Sequence, residues 1–152
     1  MYGILLLLHI LGATIWTGGH IIVSVTVLPR ALRQGAPEVL LNFESMFEKI
    51  GMPALVVQII TGPILAYRFL PDIGQWFNMD NPLAHPIAAK LILLALTAGV
   101  AFHAKLRVIP VLSKDNLGAM AWHVIAVTTF SILFVAVGVS FRTGWLYRNR
   151  VA

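Results

Sequence analysis

A chain of 152 residues of which 59% are hydrophobic and 11% charged, with a mean hydropathy of +0.85, lies outside the range of a soluble domain and reads as an integral membrane protein. Lys and Arg number 11 against 6 Asp and Glu; the surplus sits at segment ends, where lipid headgroups meet it, and does not point to nucleic acid. The absence of cysteine excludes disulfides, thiolate-ligated haem, iron–sulfur clusters and thiol copper relays, and leaves histidine as the main ligand type.

The first element is the run from Met1 to Pro29, which holds no Asp, Glu, Lys or Arg but places His9 and His20 among Leu, Ile and Gly. Such a run is long enough to cross a bilayer core of roughly 30 Å. It lacks the basic leader and small-residue exit of a signal peptide, so it is read as a retained helix that ends at Leu28-Pro29-Arg30. His9, Trp16 and His20 are spaced by seven and four residues. At about 100° per residue, Trp16 and His20 each fall within roughly 20° of His9. Gly12 joins that stripe. It either leaves room for a flat group against the helix or permits close approach of a neighbouring helix.

A polar connection from Arg30 to Lys49 follows, with Glu38, Glu44 and Glu48 among apolar residues, and reads as a short interfacial helix. The second span begins at Gly51 and stays apolar until Arg68. The loop from Pro71 to His85 carries Trp76 and Phe77 as interfacial anchors, and His85 before Pro86 reads as a solvated cap. The third span carries Lys90 and His103, and the turn after it holds Pro110, Lys114, Asp115 and Asn116. The fourth, free of charge to Phe141, carries Met120 and His123 and closes at Arg142 with Trp145 and Tyr147 at the boundary.

The expected architecture is therefore all-α: a single transmembrane domain over 1–152, a four-helix bundle running up-down-up-down, with spans at about 3–28, 51–70, 86–106 and 117–141. Both termini then share one face, A, and the first and third connections share the other, B. Counting along each span places His20, His103 and His123 in the B half, and His9, Lys90 and His85 in the A half. Face B collects Arg30, Arg33, Lys49, Lys105, Arg107 and Lys114, and face A collects Arg68, Arg142, Arg148 and Arg150. The excess on B places it in the cytoplasm and the termini outside.

Polar rings at these depths are costly without a partner. Imidazoles from facing helices suit haem iron, and imidazole with thioether suits copper, for which Met120 and Met52 are at hand. The metal-ligand candidates are thus His20, His103, His123 and His9, with Trp16, Gly12 and Lys90 as further cofactor contacts. Lys90 either snorkels to face A or meets a propionate, a quinone or a tetrapyrrole carboxylate. For a haem in the B half the expected ligand pair is His20 with His103, from spans facing across the bundle.

The stretch from His9 through Trp16 and Gly18-Gly19 to Leu28-Pro29-Arg30, then Gly51-Met52-Pro53-Ala54 with Thr61-Gly62, then Ala89-Lys90-Leu91 with His103, resembles the first three helices of the CopD-like and HemJ-like membrane proteins. The resemblance implies a four-helix bundle of a bacterial inner membrane. Its HemJ-like branch implies haem b and protoporphyrinogen oxidation, with His9 and Lys90 as the functional pair; its CopD-like branch implies copper resistance or uptake. Here Leu28-Pro29-Arg30 continues as Ala31-Leu32-Arg33-Gln34, without the aromatics and further histidine of the HemJ-like pattern, and no Asn-Glu-x-Pro-like stretch precedes Trp122. The extra His20 and His123 fit a small CopD-like subgroup. The expectation is a haem b protein that moves electrons by bis-histidine ligation, served by a redox partner or quinone. A copper carrier is the alternative, and a homodimer is compatible with the Gly and Ala faces.

Overall fold

The computed structural model describes residues 1–145 and contains, among them, helices and no strand. Four helical stretches are each long and apolar enough to cross a membrane: Tyr2–Gln34, Pro37–Phe69, Ala84–Val111 and Lys114–Thr143. The chain is a four-helix bundle of the multi-pass membrane type. Tyr147, Arg148 and Arg150 lie outside the described residues.

The first span outlasts the sequence expectation. Helix α1 (Tyr2–Ile22) passes into a π-helical turn at Val23–Val27 and then into α2 (Leu28–Gln34), so Pro29 does not end it. Proline lacks an N–H and crowds the turn before it. The wider π-turn takes up that defect, with Leu28 N–H reaching back to the Val23 carbonyl. The real stop is Gly35, at φ +60°, where Ala36 N–H closes onto the Ala31 carbonyl at 3.0 Å. A side chain on Gly35 would also run into Lys114, whose Cε lies 2.8 Å from the position of an added Cβ.

No separate interfacial helix forms after it. Pro37 opens α3 (Pro37–Phe69), which runs without a break through Gly51, Pro53 and Pro63. At about 50 Å this helix exceeds the hydrocarbon thickness, so its first turns, with Glu38, Glu44 and Glu48, extend toward face B. The loop to the third span is pinned by Trp76, whose indole N–H donates to the Leu70 carbonyl at 2.9 Å, while Phe77 stays exposed as an anchor would. His85 is tied in rather than free: its Nε2–H donates to the Met79 carbonyl at 2.8 Å.

Helix α4 (Ala84–His103) repeats the device of the first span. A π-turn at Ala104–Val108 precedes Pro110, and a short 3₁₀ turn ends the helix at Val111. Ser113 and Asn116 then form a reciprocal cap before α5 (Leu117–Thr143), which stops at Gly144 with φ +74°.

The first span packs against the second and the fourth, and the third packs against the fourth; the second and third make no comparable contact. Hydroxyls tie the first and fourth spans together: Thr128 Oγ1 shares its proton between the Val124 carbonyl of its own helix at 2.7 Å and the His20 carbonyl at 3.0 Å, and Thr17 Oγ1 donates to the Ser131 carbonyl at 3.4 Å. A buried cluster sits at the face-B end, where Val23, Leu28, Ala31, Leu40, Leu117 and Val124 meet, and Ala84, Ile87 and Ala88 are buried at the start of α4. At the other end Phe69 and Phe141 join α3 to α5 edge to face, with centroids 4.9 Å apart.

Candidate functional site: a histidine-walled cavity near face B

Because the second and third spans stand apart, a cavity of about 190 Å³ opens among all four helices in the face-B half. The first span contributes Trp16, His20 and Val23, and the fourth contributes Met120, His123, Val124 and Val127. The gap side is formed by Glu44, Glu48 and Met52 of α3 and by Ala101, Ala104 and Lys105 of the third span. Glu48 and Lys105 form an ion pair across that gap, both largely exposed.

The histidines are oriented by their own helices. His20 Nδ1 lies 2.8 Å from the Trp16 carbonyl and His123 Nδ1 lies 2.7 Å from the Ala119 carbonyl, each four residues back. A carbonyl only accepts, so each Nδ1 carries the proton and each neutral ring keeps its lone pair on Nε2. His20 is held further by Trp16, 4.5 Å away between centroids, and by the edge of Phe47 at 5.7 Å. Phe47 reaches this place because Gly19 and Gly51 leave it room: a Cβ on Gly19 would fall 2.1 Å from its Cε2, and one on Gly51 2.7 Å from its Cε1.

His103 does not join His20. Its Nδ1 lies 2.8 Å from His123 Nε2, with the two rings parallel at 5.0 Å. Since the neutral His123 ring has its proton on Nδ1, His103 donates to its Nε2. His103 sits on the outside of this pair, exposed. The reason is the helix order: the third span meets the fourth, whereas the first meets the second and fourth. The expected meeting of three imidazoles is thus reduced to one bonded pair and one separate wall residue. Among the described residues no three of His, Asp and Glu are grouped to hold a metal ion.

Gly12 is also reassigned. A Cβ there would lie 3.0 Å from the Ala54 carbonyl oxygen and 3.2 Å from Gln58 Cγ, so the notch is filled by α3 and takes no flat group. Gln58 Nε2 donates across the same contact to the His9 carbonyl at 2.8 Å.

In the face-A half, His9 Nδ1 lies 2.8 Å from Thr61 Oγ1. Thr61 spends its one hydroxyl proton on the Val57 carbonyl at 2.6 Å. It therefore accepts from His9 Nδ1–H, and His9 too keeps a lone pair on Nε2. Lys90 enters the same half from α4. Its ammonium stands 5.4 Å from the centroid of the Phe141 ring, beside Gly138.

Several cavity residues escaped the sequence reading. Leu40, Phe43, Glu44, Phe47, Glu48 and Gly51 all line the cavity and recur at the three- and four-residue steps of one helical stripe. The signal was present, but the segment reads as surface because its charges are part of the stripe.

Fold and site together define a multi-pass, all-α membrane protein whose four helices enclose a histidine-walled cavity near one face. No protein-family model, curated protein or solved structure matches the chain. The likeness to CopD-like and HemJ-like proteins therefore rests on the quoted motifs alone.

Proposed function

We propose that the chain is a haem b-binding membrane protein that transfers electrons, with His20 and His123 as the imidazoles available to the iron. The observation that carries this reading is the pair of cavity-lining histidines whose Nδ1–H groups are both fixed on backbone carbonyls. That arrangement orients metal-ligating imidazoles and raises their basicity. Beside them the wall is largely apolar, with Trp16, Phe43, Phe47, Met120 and valines, and Glu44, Glu48 and Lys105 stand on its gap side. His20 presents its Nε2 unshared, whereas His123 gives up its bond from His103 before it ligates. Haem held there supplies one-electron redox chemistry, and the chain sets its potential through ligand basicity and an apolar surround. A quinone or protein partner exchanges the electron, in a bacterial inner membrane with face B in the cytoplasm.

A second reading follows from Met52 and Met120, whose thioethers line the same cavity as the two imidazoles. Imidazole with thioether is a donor set for reduced copper, and the chain would then be a copper carrier. Visible spectra of the detergent-purified protein, oxidised and dithionite-reduced, with metal analysis of the same sample, separate the two. A Soret band with sharp α and β bands on reduction, lost in His20→Ala, supports the haem reading. A colourless protein that stays so after haem reconstitution and holds copper overturns it.

A further inference from the structure

A second crevice, of about 310 Å³, opens at the face-B end on the outer side of the bundle, between the end of the first span and the first turns of α3. Thr26, Val27 and Arg30 line it from one helix, and Val39, Asn42, Phe43 and Met46 from the other. Both sets are helical stripes, at steps of one and three residues and of three, one and three, so the crevice is a groove between two packed helices.

Its chemistry is divided. Val27, Val39, Phe43 and Met46 make an apolar floor, and no acidic side chain lines it, in contrast to the central cavity with Glu44 and Glu48. Above the floor stand a guanidinium, a carboxamide and a hydroxyl. Among the described residues none of these three side chains has a hydrogen-bond or ion-pair partner. The π-turn at Val23–Val27 ends as this groove begins, and α2 carries Arg30 in its first turn.

We infer that this crevice binds an anionic phospholipid, with the phosphate on Arg30, Asn42 and Thr26 and the upper acyl chain along Phe43 and Met46. Guanidinium offers parallel N–H donors that match phosphate oxygens, and the amide and hydroxyl complete the polar rim. A soluble anion would use the rim and leave the apolar floor uncovered. A lipid satisfies both at the depth where headgroup meets hydrocarbon.

The test is native mass spectrometry of the delipidated protein titrated with phosphatidylglycerol, phosphatidylcholine or inorganic phosphate. One phosphatidylglycerol is expected to be retained in preference to phosphatidylcholine. Arg30→Gln should weaken it about tenfold, the scale of a lost charge-assisted hydrogen bond. Arg30→Lys, which keeps the charge without the fork, should fall between, and Arg107→Gln, at the same face but outside the crevice, should bind as wild type. Unfolding of Arg30→Gln at the wild-type temperature would show that its fold is intact; if it does not fold, Asn42→Ala and Arg30→Lys carry the comparison. Equal retention of the two lipids, equal losses in Arg30→Gln and Arg107→Gln, or displacement of phosphatidylglycerol by millimolar inorganic phosphate would each overturn the assignment.

Discussion

His103 donates a hydrogen bond to the Nε2 of His123, at 2.8 Å between parallel rings. That nitrogen is the one His123 would offer to a metal, so His103 competes with a ligand in the cavity. Under the haem proposal, His20→Ala and His123→Ala lose low-spin haem, whereas His103→Ala retains it and binds haem a few-fold more tightly. The gain corresponds to about 1 kcal/mol for a hydrogen bond no longer broken. A Soret titration of the three variants checks the order, and loss of haem in His103→Ala would return that residue to the ligand set.

Two neighbouring glycines give a test of the packing around His20. A Cβ on Gly18 meets nothing within 4 Å, while a Cβ on Gly19 falls 2.1 Å from the Phe47 ring. Both substitutions to Ala gain helix propensity of up to ~1 kcal/mol. Gly18→Ala should therefore be neutral or stabilising. Gly19→Ala should be destabilising by about 1–3 kcal/mol as the ring is displaced, which thermal unfolding in detergent will read.

The buried Thr61 accepts from His9 and donates to Val57. Thr61→Val removes both roles at nearly constant shape and leaves the His9 Nδ1–H without its acceptor, at a cost of about 1–3 kcal/mol. Thr61→Ser restores the hydroxyl and should recover most of it. Unfolding in mixed micelles of the two variants beside wild type is the measurement.

Glu48 and Lys105 join two spans that otherwise stand apart. Because both are largely exposed, Glu48→Gln should change global stability by less than about 1 kcal/mol. Its effect should be local: spin labels on cysteines introduced in the second and third spans should report a broader separation near face B. The cysteine-free chain makes the labelling site-specific, and an unchanged distance distribution would remove the ion pair as a clasp.

The four spans were legible because hydropathy is a sum over many residues, and the half of the bundle in which each histidine lies followed by counting along a helix of fixed rise. Neighbour order was not. Each span is apolar nearly all round, so no face of α1 or α5 announces its partner, and His103, which depth alone pairs with His20, meets His123. Leu28-Pro29-Arg30 carries the usual marks of a helix end, but a π-turn absorbs the proline and the helix reaches Gln34. Gly12 illustrates the remaining limit. A small residue on a stripe is compatible with a ligand or a helix, and only the presence of Ala54 and Gln58 above it decides.

The π-turns before Pro29 and Pro110 have a consequence for how this chain can change in length. A π-turn amounts to an α-helix with one residue inserted, so deleting any one of the residues from Val23–Val27 would restore regular winding. The helix beyond would keep its facing, so Leu28, Ala31 and Arg30 would hold their places and the cost would fall locally, on Pro29 in a regular turn. The same deletion in the loop around Ile73–Gln75 would re-aim no helix face of the bundle. Loss of one residue should therefore be better tolerated in either place than in the regular turns of the helices, where it would swing everything beyond by about 100°.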